Sequence, residues 1–205
     1  PLYCSVDVAL YQPEPTPVSW DLGYLGTYAE DRQPTLQRLL IEPARRLPDR
    51  RFVVAGPQYP ASIDWPANVE RIDHLPPSAH AQFYGRQRFT LNVTRADMIR
   101  TGWSPSVRLF EAAACGTPII SDRWDGLGDL LPIGDAILVA DHADDVVSVL
   151  SGIGDAARAR MSKLARDIVL RNHSGAARGR KLDDYIRAAS SGLRLPVAAV
   201  AQEAD

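Results

Sequence analysis

Short apolar segments alternate along this chain with segments of helical periodicity, and most of the connections between them are short. The apolar segments predict strands at 22–27, 51–55, 69–73, 89–93, 117–121 and 136–140. Helices are predicted between them, at 33–47 with a kink at Pro43, and at 78–87, 105–115, 127–131, 143–150 and 154–188, the last divided near 172–174. Strands and helices that alternate in this way form a parallel sheet covered on both faces. The pattern therefore predicts a doubly wound, Rossmann-like α/β domain.

The composition fits a globular protein and excludes several classes of function. With 205 residues, 45% of them hydrophobic, the chain can bury a substantial core. The formal net charge of −2 provides no basic surface for nucleic acid, and no apolar run is long enough to span a membrane. Cys4 and Cys115 make no disulfide framework and no signal peptide is visible, so we expect reduced thiols in a cytoplasmic protein.

The ends of the chain differ in composition from its centre. Residues 1–20 are rich in proline and lack periodicity, which predicts an extended lead-in. Because the chain begins without a methionine, we interpret this lead-in as a linker from a missing N-terminal domain. Residues 21–190 then form the sheet domain, and residues 191–205 form a flexible tail.

Residues 104–121 contain the most informative local pattern. Ser104 is a suitable N-cap and Pro105 suits the first position of a helix, where no backbone N–H is needed. Gly116 and Pro118 predict the end of that helix, after which an apolar strand runs to residue 121. An eleven-residue loop, 94–104, precedes the helix and places its first turn at the edge of the sheet.

This arrangement predicts an anion site. The free N–H groups and the dipole of a helix N-terminus favour negative charge. Glu111 lies about two turns into the helix and leans back towards that end. In parallel α/β sheets, ligands bind outside the carboxyl ends of the strands. The polar residues that follow the predicted strands, and would share this edge with the helix tip, are Gly26, Thr27, Gly56, Asp73, His74, Thr94, Arg95, Ser121 and Asp122.

The run 106–121 resembles the donor-site signature of GT-B glycosyltransferases of the group 1 superfamily, and is most similar to the CgeB-like, spore-maturation-type branch. Other segments are similar to that family in the same order: 5–13 to its interdomain linker, 25–32 to its first strand and phosphate-side loop, and also 91–95, 124–127 and 172–178. The resemblance implies that this chain is the C-terminal, donor-binding half of a two-domain enzyme. Its partners would be a nucleotide-diphosphate sugar and the missing N-terminal acceptor domain.

The resemblance also implies roles for particular residues. Glu111 matches the acid that holds the ribose hydroxyls, and Arg32 lies near the basic residues that neutralise the diphosphate. The loop and helix tip formed by Ser104, Ser106, Val107 and Arg108 match the part that faces phosphate and sugar. His74 and Leu75 lie where the base meets the backbone, Gly26 and Thr27 lie on the phosphate side, and Arg95 lies on the same rim. The family needs no metal or other cofactor at the diphosphate, and the sequence contains no Asp-x-Asp pair.

One position departs from the family pattern. Retaining members carry a second acid eight positions before the ribose-binding acid, and this chain has Trp103 there. The stereochemical outcome therefore stays open. Trp103 either stacks on a base or sugar, or packs beneath the loop.

Structural interpretations compete with several of these assignments. Glu111 could pair with Arg108 at i, i+3. Arg32 could belong to a solvated surface cluster with its acidic neighbours at 30 and 31, and Arg95 could pair with Asp97 or Glu111. Ser104 could serve only as the helix cap.

Three functions remain open at the level of the sequence. The first is the donor-binding domain of a glycosyltransferase, expected to be inactive as an isolated fragment. The second is a non-catalytic structural or binding module on a GT-B scaffold, of spore or envelope type. The third is a GT-B-fold nucleotide-sugar epimerase, which would need acid and base residues that this half does not display. The base, the sugar, the acceptor and the oligomeric state are undetermined.

Overall fold

A computed structural model describes residues 2–191 of the chain. The predicted tail lies outside the described residues from position 192 onwards. Within the described range, six strands form one sheet in the order β3-β2-β1-β4-β5-β6, and all neighbouring strands are parallel. The strands are β1 (Trp20–Leu25), β2 (Phe52–Ala55), β3 (Val69–Ile72), β4 (Gln87–Asn92), β5 (Ile119–Ser121) and β6 (Leu138–Val139). The predicted doubly wound α/β fold is confirmed.

Helices connect the strands and cover both faces of the sheet. The α-helices between residues 2 and 191 are α1 (Gln33–Leu36), α2 (Glu42–Arg46), α3 (His80–Gly85), α4 (Ala96–Thr101), α5 (Val107–Ala114), α6 (Leu127–Leu130), α7 (Ala143–Gly152), α8 (Asp155–Asn172) and α9 (Gly175–Ser190). The break between α8 and α9 confirms the predicted division near 172–174. No helix in the described range is both long and apolar enough to span a membrane.

Two apolar clusters, one on each face of the sheet, make up the core. All four residues of β2 are buried, with Phe52 and Val54 in one cluster and Val53 and Ala55 in the other. Helices α1, α2 and α7 pack on the first face, and α3, α5 and α8 pack on the second. Because both faces are covered, the strands read as continuous apolar runs rather than as alternating ones.

The helix predicted at 33–47 is interrupted. Residues Gln37–Ile41 form a π-helical segment between α1 and α2, in which the Glu42 N–H donates to the Gln37 carbonyl. Pro43 lies in the first turn of α2. A proline in a helix interior has no N–H and its ring clashes with the carbonyl four residues earlier, and the wider turn relieves this clash. The helix is thus irregular immediately before Pro43, and the predicted kink stays a prediction.

The structure departs most from the predicted segments at 94–104 and 78–87. The loop predicted at 94–104 contains helix α4, none of whose residues is buried, so this helix produces no apolar periodicity. The helix predicted at 78–87 is a 3₁₀ turn followed by α3, which ends at Gly85, and Gln87 already belongs to β4. The backbone of Gln87 pairs with Trp20 of β1, a contact that local sequence does not reveal.

The lead-in packs against the domain. Val6 is buried and its N–H donates to the His173 carbonyl at 2.9 Å, so this part of the lead-in lies against the junction of α8 and α9. Trp20, which the prediction placed in the lead-in, begins β1.

Candidate functional site

A cleft of about 440 Å³ opens at the carboxyl ends of β1, β2 and β3, beside the first turn of α5. It is lined by Leu25, Gly26, Thr27, Gly56, Pro57, His74, Leu75, Pro77, His80, Val107, Arg108 and Glu111. Eight of the residues expected from the sequence, Gly26, Thr27, Gly56, His74, Leu75, Val107, Arg108 and Glu111, therefore meet in one cavity. The sheet brings them together because the carboxyl ends of parallel strands share one edge.

Close approach of two backbone segments shapes the cleft between β1 and β2. Gly56 has a φ of +141°, and a Cβ atom there would lie 2.1 Å from the carbonyl oxygen of Gly26. A side chain at position 56 would therefore be strained and would collide with the backbone. The Tyr59 hydroxyl donates to the same Gly26 carbonyl at 3.0 Å, which holds this part of the wall in place.

The cap of α5 is Ser106, and the prediction that Ser104 caps this helix is wrong. Ser106 has an extended backbone (φ −68°, ψ 140°) and its side chain accepts a hydrogen bond from the Arg108 N–H at 3.4 Å. Both serines flank Pro105, so the local pattern fits either one. The helix therefore starts at Val107, and neither serine lines the cleft.

Glu111 projects into the cleft from the second turn of α5. The Tyr84 hydroxyl lies 3.3 Å from its Oε2 and donates to it. Tyr84 is fully buried, and burial raises its pKa well above the ordinary value, so this hydroxyl stays protonated. Arg108 makes no ion pair with Glu111 within the described residues, so the alternative of a surface pair on the helix is wrong.

Arg32 is buried, with 5% of its surface exposed, and its guanidinium donates to the Thr27 carbonyl. Its Nε has no hydrogen-bond partner, and no carboxylate forms an ion pair with it in the described part of the chain. The interpretation of Arg32 as part of a solvated cluster is therefore wrong. Its neighbour Asp31 instead accepts a hydrogen bond from the Ala96 N–H at 3.0 Å. Arg32 lies directly behind Thr27 of the cleft wall.

The charges of Arg32 and Arg108 both act on tyrosines near the cleft. The pKa of Tyr59 is raised by burial and by Tyr24, while the charges of Arg71, Arg32 and Arg108 lower it. Burial raises the pKa of Tyr24, and the charges of both arginines oppose that rise. The cleft thus combines the N-terminus of α5 and the Arg108 guanidinium with the Arg32 guanidinium behind its wall, and neither arginine forms an ion pair with a carboxylate among the described residues. Such an arrangement favours an anionic ligand.

Arg95 does not line the cleft. It is exposed and lies at the N-cap position of α4. Its expected partner Asp97 pairs with Arg100 at 2.9 Å instead. The fold therefore places Arg95, which the sequence suggested for the rim, outside the cavity.

Trp103 packs against a neighbouring loop and is absent from the cleft lining. Its backbone has a φ of +43°, and its indole N–H donates to Asp129 at 2.9 Å. The ring lies over Gly126, where a Cβ atom would approach it to 2.4 Å. Trp103 thus contacts the neighbouring loop but is 44% exposed rather than packed beneath it, and its stacking on a base or sugar stays a prediction.

Two groups around the cleft were not expected from the sequence. His80 and Tyr84 lie on α3. His80 lines the cleft and the Tyr84 hydroxyl donates to Glu111 of α5, and nothing in the local sequence signals either position. Asp122 is buried at the end of β5, where it accepts hydrogen bonds from the Thr94 N–H at 2.9 Å and the Thr94 hydroxyl at 2.7 Å. Burial raises the pKa of this carboxyl. The sequence placed both Asp122 and Thr94 at the ends of predicted strands, and the structure shows that they are hydrogen-bonded to each other.

No group of three or more His, Cys, Asp or Glu side chains between residues 2 and 191 is placed to hold a metal ion. Cys115 is buried at the end of α5, and burial raises the pKa of its thiol to about 12. This thiol is therefore protonated at neutral pH, in agreement with the interpretation of Cys115 as a packing residue.

The family model described as "Glycosyl transferase-like" matches residues 32–184 of the chain. The chain belongs to the glycosyl transferase-like family. The predicted resemblance to group 1 glycosyltransferases of GT-B fold is thereby confirmed at the level of family and fold. No curated protein sequence matches the chain.

Solved structures of this fold superimpose on nearly the whole described domain. Sucrose-phosphate synthase from Thermosynechococcus elongatus is 15% identical, with a TM-score of 0.73 over 93% of this chain and 52% of that one. Anabaena HepE in complex with UDP and glucose is 14% identical, with a TM-score of 0.71 over 91% of this chain and 56% of that one. The C-terminal domain of a group 1 glycosyl transferase, LpcC from Francisella tularensis, is 14% identical, with a TM-score of 0.62 over 83% of this chain and 99% of that domain. The chain spans about half the length of the first two proteins.

Proposed function

We propose that this glycosyl transferase-like domain binds the nucleotide-diphosphate sugar donor of a glycosyltransferase. The observation that carries the proposal is the cleft itself. It places the N-terminus of α5 and Arg108 beside a carboxylate, Glu111, with the buried Arg32 directly behind the wall. The diphosphate would lie against the helix tip and the two guanidiniums, and Glu111 would accept hydrogen bonds from the ribose hydroxyls.

Electrostatics support this placement of the diphosphate. Burying a charge without a partner is unfavourable, and Arg32 carries its charge in the wall with no carboxylate beside it in the described residues. A bound diphosphate would supply the missing negative charge. During sugar transfer the same groups would stabilise the departing nucleoside diphosphate, on which negative charge develops.

Complexes of similar structures agree with this ligand class. The HepE structures contain UDP-glucose or UDP with glucose, and T4 phage BGT has been solved with UDP-glucose. We assign the transfer to the full-length protein, with the acceptor site on an N-terminal domain and the CgeB-like branch as its subfamily. We also propose a cytoplasmic location and a donor site that needs no metal.

The direct test is isothermal titration of the domain with UDP, GDP, ADP and dTDP, in the presence and absence of Mn²⁺. A structure of T4 phage BGT contains both UDP and Mn²⁺, which makes the comparison informative. We expect one diphosphate to bind at micromolar to millimolar concentration without metal. Glu111→Gln should weaken that binding by about tenfold or more, because hydrogen bonds to a charged group contribute about 1.5–3 kcal/mol.

Glu42→Gln is the matched control for this substitution. Glu42 is an exposed carboxylate at the start of α2 and does not line the cleft. The control should bind nucleotide like the unaltered domain. Absence of binding by all four diphosphates would contradict the proposal and favour the non-catalytic scaffold. Trp103, which stands where retaining members have an acid, is the feature that supports this alternative.

A further inference from the structure

One backbone group of the cleft wall, the N–H of Thr27, donates to no atom of residues 2–191. The carbonyls on either side of it are engaged. The Gly26 carbonyl accepts a hydrogen bond from the Tyr59 hydroxyl at 3.0 Å, and the Thr27 carbonyl accepts one from the Arg32 guanidinium. Backbone N–H groups in a folded protein nearly always have a partner, so a free one in a cleft is available to a ligand.

The direction of this N–H follows from the planarity of the peptide bond. In a trans peptide, the carbonyl of one residue and the N–H of the next point in opposite directions. The Gly26 oxygen points to the β2 side, since it meets Tyr59 and would lie 2.1 Å from a Cβ atom at Gly56. The sheet order places β4, from which the chain continues to α5, on the other side of β1. The Thr27 N–H therefore points towards the side of the α5 N-terminus.

Tyr59, which holds the Gly26 carbonyl, is itself fixed by its neighbours. Its ring packs edge-on against Trp65 with centroids 5.5 Å apart, and the Arg71 guanidinium lies 4.2 Å from the ring centroid. Arg71 also donates to the Gly56 carbonyl at 3.1 Å. Burial raises the pKa of Tyr59, so its hydroxyl stays protonated at neutral pH and can donate to Gly26.

We propose that the Thr27 N–H donates to a phosphate oxygen of the bound nucleoside diphosphate, and that Tyr59 is a positioning residue that orients this N–H through the Gly26 carbonyl. The inference rests on the function proposed above and adds a neutral donor to the helix tip and the guanidiniums. Backbone N–H groups are effective phosphate ligands. A donor that is already held in place costs little ordering when the ligand binds.

Amide NMR of the isotopically labelled domain observes the Thr27 N–H directly. The probes are UDP and uridine, which share a base and a ribose and differ by the diphosphate. If the titration above selects another base, the corresponding diphosphate and nucleoside replace them. We expect UDP to move the Thr27 amide proton downfield, as for an N–H that donates to a charged oxygen, and uridine to leave it close to its free position.

Tyr59→Phe tests the positioning role, because it removes the hydroxyl and keeps the ring between Trp65 and Arg71. Affinity for UDP should fall about threefold to tenfold, part of the value of one hydrogen bond to a charged group. Affinity for uridine should change little, so the preference for UDP over uridine should shrink. The downfield movement of the Thr27 amide proton with UDP should become smaller. A merely structural role of Tyr59 would lower both affinities equally.

Tyr3→Phe is the matched control. It removes the hydroxyl of a tyrosine that packs near His173 and does not line the cleft. The preference for UDP over uridine and the response of the Thr27 amide should both equal those of the unaltered domain. Circular dichroism and thermal unfolding check that each variant is folded.

The outcomes separate this inference from the proposed function. A Thr27 amide that UDP leaves in place, while Glu111→Gln still weakens UDP binding, overturns the inference and leaves the proposed function standing. Equal losses for UDP and uridine in Tyr59→Phe, or no loss at all, overturn the positioning role of Tyr59. Failure of all four diphosphates to bind overturns the proposed function and this inference with it.

Discussion

His173 is buried between α8 and α9, and its protonation is unfavourable in the folded state. Its ring stacks on Phe110 with centroids 4.2 Å apart, and Nδ1 accepts a hydrogen bond from the Arg178 guanidinium. Burial, followed by the charges of Arg178 and Lys181, lowers its pKa to about 4. In the unfolded chain a histidine titrates near 6.5.

The free energy of unfolding should therefore decrease in mild acid. Between about pH 6.5 and 4 the unfolded chain binds a proton that folded His173 does not, which lowers the stability by about 2 to 3 kcal/mol over that range. Urea unfolding at a series of pH values measures this slope. His173→Gln keeps an acceptor for Arg178 without titrating, and should show a shallower slope.

An exposed histidine provides the control for this measurement. His74 is exposed, so His74→Gln should retain the slope of the unaltered domain. Equal slopes for His173→Gln and the unaltered domain would mean that other groups account for the acid sensitivity.

At the scale of the element, the first turn of α5 depends on one of two similar serines. Ser106→Ala removes the side chain that accepts from the Arg108 N–H, and should lower the free energy of unfolding by about 1 kcal/mol. Ser104→Ala should change it by less than about 0.5 kcal/mol, because no side-chain cap involves that residue. Chemical unfolding of both variants distinguishes the two positions, and a larger loss in Ser104→Ala would contradict the observed cap.

The same element shows what local sequence can predict. The apolar positions and Gly116 correctly indicated a helix followed by a buried strand, because periodicity and chain-terminating residues act over a few positions. They could not choose between serines on either side of Pro105. The sequence did not predict helix α4, because none of its residues is buried and it therefore has no apolar face to detect.

On the scale of the whole molecule, the chain spans about half the length of the sucrose-phosphate synthase and HepE chains to which it is similar. If the acceptor site belongs to another domain, the isolated chain should bind nucleotide and transfer almost no sugar. We expect the chain to release UDP from UDP-glucose no faster than a blank without protein. Chromatography measures this release at a protein concentration that binds all of the UDP in the titration. Release far above the blank that Glu111→Gln abolishes would contradict this expectation.

Local sequence patterns were sufficient to predict the doubly wound architecture and a helix N-terminus with Glu111 beside it. Alternating strands and helices dictate a parallel sheet, and the carboxyl ends of parallel strands share one edge, so the position of the cleft follows from the sequence. The contacts that the cleft residues make do not follow from the sequence. Tyr11 and His80 are 69 positions apart, and Tyr84 and Glu111 are 27 apart. Whether such side chains meet depends on strand order, on how the helices pack and on the path of the lead-in, and these are set by the burial of the whole core rather than by any local pattern.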